Sequence, residues 1–293
     1  MIKKAGGFAA ACTLAAALSA CSGDGANQGA SSRAPVVSAT ASSSASLPSS
    51  PSAAPTVAPS PTVSPSASPE ATATGEAVAK NYKMNKNYDI VPVDKASGND
   101  KVVLLTFDDG PKDEKTLAPI LDTLDKHHAK AIFFVNGYRV KAHPELLQEI
   151  DKRGHIVGNH SYDHIQLGKE KADKIKEQIG KVQQIVEATI GKKPVFFRPP
   201  NASANADVHK IAADNGLLFM TWSNGSLDWT MSGTKIKDKP QAIIDNVLKQ
   251  LHPGSNILMH ELSWTGEALD RLLTTLEDKG YAFVDPDAIQ TTS

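Results

Sequence analysis

From Lys101 to Val284, apolar runs alternate with apolar residues set at helical spacing. Val102–Phe107 is apolar except for Thr106, the pattern of a strand buried on both faces. Leu117, Ile120, Leu121 and Leu124 then recur three and four apart, which predicts a helix. Ala131–Val135 is a second strand. Pro144 opens a helix holding Leu146, Leu147 and Ile150, and Gly154 follows its end as a stop signal. His155–Gly158 is a short strand before a long helix running to about Thr189. Val195–Phe197 is the fourth strand, and a helix around Val208–Asp214 leads to a fifth at Leu217–Trp222. A helix from Gln241 to Leu251 leads to a sixth at Asn256–Met259. The last helix holds Leu269, Leu272, Leu273 and Leu276, and Gly280 separates it from the strand Tyr281–Val284.

Seven such β–α units without a repeated hairpin signal predict an α/β domain with a parallel sheet and helical crossovers. An open sheet gathers ligands at one switch point, whereas a barrel brings all its strand ends to one mouth. Here Asp108 and Asp109 follow the first strand, His160 and His164 the third, and Arg198 the fourth. Asp228 lies beyond the fifth, and His260 ends the sixth. That spread favours a distorted, seven-stranded, TIM-like barrel over residues 81–293.

The residues before it are of another kind. Lys3 and Lys4 precede an apolar run, Ala5–Leu18, too short to span a bilayer and read as a signal peptide over residues 1–20. Leu18-Ser19-Ala20-Cys21 resembles a bacterial lipoprotein cleavage box, so Cys21 is the expected lipidated first residue. An ordinary signal cleaved near Ala20 is the plainer alternative. Residues 21–80 are rich in Ala, Ser, Pro and Thr and too poor in large apolar groups to offset the entropy of ordering, which predicts a disordered tether. The only other cysteine, Cys12, lies in the segment to be removed, so no disulfide framework is expected. A formal net charge of -1 gives no nucleic-acid footprint. The Lys/Glu-rich stretch Lys169–Lys181 reads as the solvated face of a helix.

Three short stretches carry candidate chemistry. Thr106-Phe107-Asp108-Asp109-Gly110-Pro111 ends a strand, and neighbouring side chains on an extended chain point to opposite sides. The same stretch is also ordinary turn chemistry. His160 and His164 are four apart, a spacing that puts two imidazoles on one face of a helix or tight turn, and equally the spacing of two surface histidines. His127, His128, His143, His209 and His252 stand without evident partners and read as structural or surface residues. Taken together, two His and one Asp would make three metal ligands with positions left open. A second Asp, an Arg and a third His would then supply base, orienting charge and acid. In Arg198-Pro199-Pro200-Asn201 neither proline has an N–H, so Asn201 offers the first backbone donor for an oxyanion.

With these motifs in order, the domain resembles the polysaccharide deacetylase family, the fourth carbohydrate esterase family, from about Lys101 to Val284. The resemblance implies Asp108 as base and Asp109, His160 and His164 as metal ligands. It implies that Arg198 orients the base, that His260 is the acid and that Asp228 fixes that acid's orientation. Trp229 and Leu258 would line the acetyl pocket. Two departures stand out. The family usually has an aromatic residue and then Gly where this chain has Asn201 and Ala202. Its fourth motif usually opens with Asp where this chain has Gly225, which suggests a missing supporting contact.

The expected activity is that of a polysaccharide N-deacetylase, an amide hydrolase releasing acetate from an N-acetylated cell-envelope glycan, with peptidoglycan favoured. The ligand set suits Zn²⁺, and Co²⁺, Mn²⁺ or Fe²⁺ also fit it. A monomer held by its lipid anchor on the outer side of a bacterial membrane, in the cell-wall zone, is expected. The alternatives are a catalytically weak glycan-binding protein on the same fold, or a deacetylase of chitin, xylan or a secreted exopolysaccharide. A non-haem Fe(II) oxygenase triad also uses two His and a carboxylate, but has no need of the extra Asp, Arg and His.

Overall fold

The structure is a computed structural model and describes residues 78–96 and 98–291. The expected signal peptide, Cys12, the lipidation site Cys21 and nearly all of the tether lie outside the described residues.

The described chain opens with a hairpin, β1 (Tyr82–Met84) and β2 (Ile90–Pro92), paired antiparallel. Then follow β3 (Val102–Gly110), α1 (Glu114–Lys126), β4 (Ala131–Val135), α2 (Gly137–Ala142), α3 (Pro144–Lys152) and β5 (Ile156–Asn159). After them come α4 (Ala172–Ile190), β6 (Phe196–Phe197), α5 (Ala206–Asp214), β7 (Leu218–Phe219) and β8 (Asn224–Gly225). The chain finishes with α6 (Lys239–Gln250), β9 (Ser255–His260), α7 (Ser263–Asp278) and β10 (Ala282–Phe283). The parallel sheet runs β7-β6-β5-β4-β3-β9-β8, with β10 paired to the start of β3. It curls into the expected distorted barrel, left incomplete because its end strands β7 and β8 do not pair.

Strand periodicity decides which chemistry faces inward. Val103, Leu105 and Phe107 pack with Phe133, Ile257 and Met259 under the outer helices. Val102 and Leu104 pack with Ile132, Phe134 and Phe196 on the other face. The inward set on β3 therefore continues through Thr106 to Asp108. Register pairs Thr106 with Leu258 and Asp108 with His260, so the inward set on β9 is Asn256, Leu258 and His260. One alternation thus fills the outer core and carries polar groups toward the barrel mouth.

The strand of β5 begins beside His155, which is 1% exposed and has neither ring nitrogen hydrogen-bonded. Its ring stands 5.4 Å from that of Phe133. Burial pulls the imidazole down to about 4; Lys130 and Arg153 push the same way and Asp125 opposes them. A free imidazole titrates near 6.5. Between those values the unfolded chain binds a proton that the folded chain refuses, so stability falls as pH drops from 6.5 to 4. The loss from this group approaches about 3 kcal/mol at the acid end. Urea unfolding of wild type and His155→Leu should show the variant with the shallower pH slope in that window. Parallel slopes would show that His155 does not set it.

Candidate active site

Asp109 does not leave β3 on the side opposite Asp108. Its φ is 69°, and the pairing with β4 shifts register between Asp108 and Gly110. That bulge re-aims the second carboxylate, so both aspartates face one pocket. The same ring nitrogen, His160 Nε2, lies 3.6 Å from Asp108 Oδ2 and 3.4 Å from Asp109 Oδ1. The two histidines share the pocket through a tight turn after β5 rather than a helix, with positive φ at Ser161 and His164.

Ligand atoms of Asp109, His160 and His164 lie within 4.8 Å of one another. Asp109 Oδ1 is buried and has no partner in hydrogen-bond geometry, although His164 Nε2 is 3.0 Å away. Burial alone would raise its pKa, but the two imidazoles reverse this and hold the carboxyl far below the usual carboxylate range. His160 Nδ1–H donates to the Arg198 carbonyl at 2.6 Å, which leaves the lone pair on Nε2 facing the cluster. An orphaned anionic oxygen and an imidazole held in the ligating tautomer fit a divalent cation.

Arg198 is wholly buried behind the pocket. Its Nη1 donates to Asp108 Oδ1 at 2.8 Å and to Thr106 Oγ1 at 2.8 Å. Its Nη2 donates to the Thr221 carbonyl at 2.7 Å and to Asn256 Oδ1 at 3.3 Å. The guanidinium lies over Phe134, with Cζ 4.3 Å from the ring centre. Burial pulls its pKa below the ordinary value, and the Asp108 charge opposes that. One oxygen of Asp108 is thereby fixed.

His260 is held from behind by Asp228, which is fully buried. Its Nδ1–H donates to Asp228 Oδ1 at 2.8 Å, leaving Nε2 free. Asp228 Oδ2 accepts from the His260 backbone N–H and from Thr265 Oγ1, each at 2.7 Å. Burial would lower the His260 pKa, but the Asp228 hydrogen bond and charge, with Asp108 and Asp109, raise it above the ordinary value.

The pocket has a volume of about 340 Å³ and is lined by Asp108, Asp109, His160, His164, Pro199, Asn201, Trp222, Trp229, Leu258 and His260. Every candidate catalytic, metal-binding and substrate-binding residue of the sequence thus lines it or, like Arg198 and Asp228, buttresses a residue that does. Asn201 sits in the left-handed region, φ 55°, and its N–H has no acceptor among the described residues. A Cβ at Gly225 would meet Trp229 tightly, at 3.3 Å, and Trp222 at an ordinary 3.5 Å. The backbone of Gly225 is held by the Gln250 side chain, at 3.2 and 2.9 Å.

Sequence reasoning missed Trp222, Asn256, Thr265 and Gln250. Asn256 carried a signal, a polar residue inside an apolar strand. The other histidines stay outside the pocket. Three of them do have carboxylate partners, His127 with Asp270 and Glu277, His143 with Glu145, and His252 with Asp89.

A family described as polysaccharide deacetylase matches residues 95–220, a span that includes Asp108 through Arg198 but not Asp228 or His260. The chain is 39% identical over 166 residues to the uncharacterized protein YlxY of Bacillus subtilis, covering 57% of this chain and 50% of that protein. It is 36% identical over 199 residues to a peptidoglycan-N-acetylglucosamine deacetylase of Bacillus cereus, covering 66% of this chain and 70% of that one. A solved structure of a CE4 family pseudoenzyme from Bacillus anthracis superposes with a TM-score of 0.59 at 34% identity, covering 63% of each chain. The chain thus spans half the length of the YlxY protein and less than two thirds of the pseudoenzyme. With this likeness and the shared barrel, the chain belongs to the polysaccharide deacetylase family.

Proposed function

We propose that this chain hydrolyses N-acetyl groups from a cell-envelope polysaccharide, peptidoglycan first among candidates, and releases acetate. The observation that carries this reading is the convergence on one pocket of three ligand atoms, an Arg-held aspartate and an Asp-held histidine. Asp108, with Oδ1 tied to Arg198, takes a proton from the attacking water on Oδ2. The Asn201 N–H donates to the oxyanion. His260 Nε2 gives a proton to the departing sugar amine while Asp228 stabilises the imidazolium. Trp229 and Leu258 take the acetyl methyl. Asp109, His160 and His164 would hold a divalent ion, Zn²⁺ by preference with Co²⁺, Mn²⁺ or Fe²⁺ able to replace it, and the ion supplies Lewis-acid polarisation when bound.

The test is acetate release by the purified domain across peptidoglycan, chitin-type, acetylated xylan and exopolysaccharide substrates. Activity on none of them would refute the reading. The triple variant Asp109→Ala, His160→Ala, His164→Ala should lose stoichiometric metal and all acetate release. Metal content equal to wild type by elemental analysis would move the site elsewhere. A second reading, a non-catalytic glycan binder, draws on the pseudoenzyme likeness and on Asn201, Ala202 and Gly225. Glycan binding without acetate release would establish it.

We also propose a monomer anchored through Cys21 on the outer side of the membrane, its tether reaching into the wall. Cell fractionation with Cys21→Ala checks this. Wild-type protein found unlipidated in the medium would refute it.

A further inference from the structure

Asp228 holds His260, and the first turn of α7 holds Asp228. Two donors reach the Asp228 carboxylate from His260 itself, the ring Nδ1–H at 2.8 Å and the backbone N–H at 2.7 Å. The one other donor to it among the described residues is the Thr265 hydroxyl, 2.7 Å from Oδ2. Trp264, one residue earlier, donates its indole N–H to the Asp228 carbonyl at 3.0 Å. Neighbouring side chains of α7 thus tie down both the backbone and the carboxylate of Asp228.

Thr265 stands at a core position. It is wholly buried, and Ala268, Leu269 and Leu272 continue its face of the helix into the outer core. A helical threonine can satisfy its hydroxyl within its own helix, as Thr123, Thr189, Thr274 and Thr275 do, each on the carbonyl four residues back. Thr265 instead spends its hydroxyl on a carboxylate 37 residues away in sequence. Packing alone would be served by valine, which has the same outline, so packing does not account for the hydroxyl.

Without Thr265, both donors left on the carboxylate belong to His260, and no side chain outside the pair fixes the carboxylate plane. With it, a short charge-assisted bond anchors that plane to a helix whose next turns are packed in the core.

We propose that Thr265 is a positioning residue for the reaction: through Asp228 it holds the His260 ring with Nδ1 protonated and Nε2 turned toward the leaving group. This rests on the deacetylase reading above and adds to it the part that aims the acid. In amide hydrolysis the C–N bond breaks, its electron pair goes to nitrogen, and nitrogen takes the proton from His260 Nε2. In an aryl acetate the pair leaves on a phenolate oxygen that is stable without a proton. Loss of Thr265 therefore penalises the amide more than the ester.

The experiment measures kcat on two substrates with the metal-loaded protein. One is a peptide-free tetrasaccharide of alternating N-acetylglucosamine and N-acetylmuramic acid, and the other is 4-nitrophenyl acetate. The ratio of amide to ester turnover should fall about tenfold in Thr265→Val, the order of one charge-assisted hydrogen bond. It should return toward the wild-type value in Thr265→Ser. Lost packing or lost metal lowers both rates together, so an unchanged ratio overturns the proposal. If Thr265→Val does not fold, Thr265→Ala carries the same comparison. Where wild type turns over only one of the substrates or neither, the long-range ¹H–¹⁵N spectrum of the neutral His260 ring decides. Wild type should be protonated on Nδ1 alone and the variant should be a mixture of tautomers, and any other pattern overturns the proposal. Absence of acetate from every glycan refutes the deacetylase reading separately and leaves that spectrum to judge Thr265.

Discussion

Asp108→Asn should lower turnover by about 10²–10⁴, the usual contribution of a general base, while metal content stays near that of wild type. The amide is isosteric with the carboxylate and can still accept from Arg198 Nη1, so the local architecture survives. What it cannot do is take a proton from water. The candidate metal site keeps its three ligand atoms, because Asp108 is not among them. His260→Ala should cost a comparable factor by removing the nitrogen left free when Nδ1 engages Asp228. Stopped acetate assays on the same glycan, with metal measured on the same samples, separate these effects from lost metal. Near-normal turnover in either variant takes that residue out of the mechanism.

Arg198→Met should destabilise the fold by about 3–5 kcal/mol, the cost of leaving one partner of a buried ion pair uncompensated. Both partners are dry: the Arg198 side chain is 0% and the Asp108 side chain 4% exposed. The same change leaves Asn256 Oδ1 without its donor and takes one of two donors from the Thr221 carbonyl, which keeps Asn256 Nδ2 at 3.1 Å. Adding Asp108→Leu should recover part of the loss, since an apolar pair of similar bulk often replaces a buried salt bridge at little cost. Urea unfolding of the three proteins measures this. A single variant within 1 kcal/mol of wild type would mean the charge pair is far better solvated than its burial implies.

Much of this site was legible in the chain because the chemistry lies at the ends of long apolar strands. Val102–Phe107 and Ala131–Val135 announce themselves as strands, and the residues that follow such runs in a parallel barrel reach the mouth. Short elements were not legible. β8 is only Asn224–Gly225, a dipeptide that reads as a turn, and its strand character comes from pairing with Ile257 and Leu258. The hairpin of Tyr82–Met84 and Ile90–Pro92 has three-residue arms, below what alternation can reveal. The direction of Asp109 was misread, because alternation assumes an unbroken ladder and the bulge is set by the register with β4. Partners distant in sequence were equally hidden. Nothing near His252 points to Asp89, and nothing near Gly225 points to Gln250.

Arg198 touches β3 through Thr106 and Asp108, the chain after β7 through Thr221, and β9 through Asn256. Its own carbonyl sets the tautomer of His160. Asp108, His160 and three segments of the barrel therefore depend on a single buried residue. Catalytic residues usually ride on loops that open locally at little cost in free energy. Here the aim of Asp108, the proposed base, has no hinge of its own, since releasing it requires parting strands from the guanidinium. Heating should consequently extinguish activity along the same curve as global unfolding, with no interval in which the protein is folded but inert.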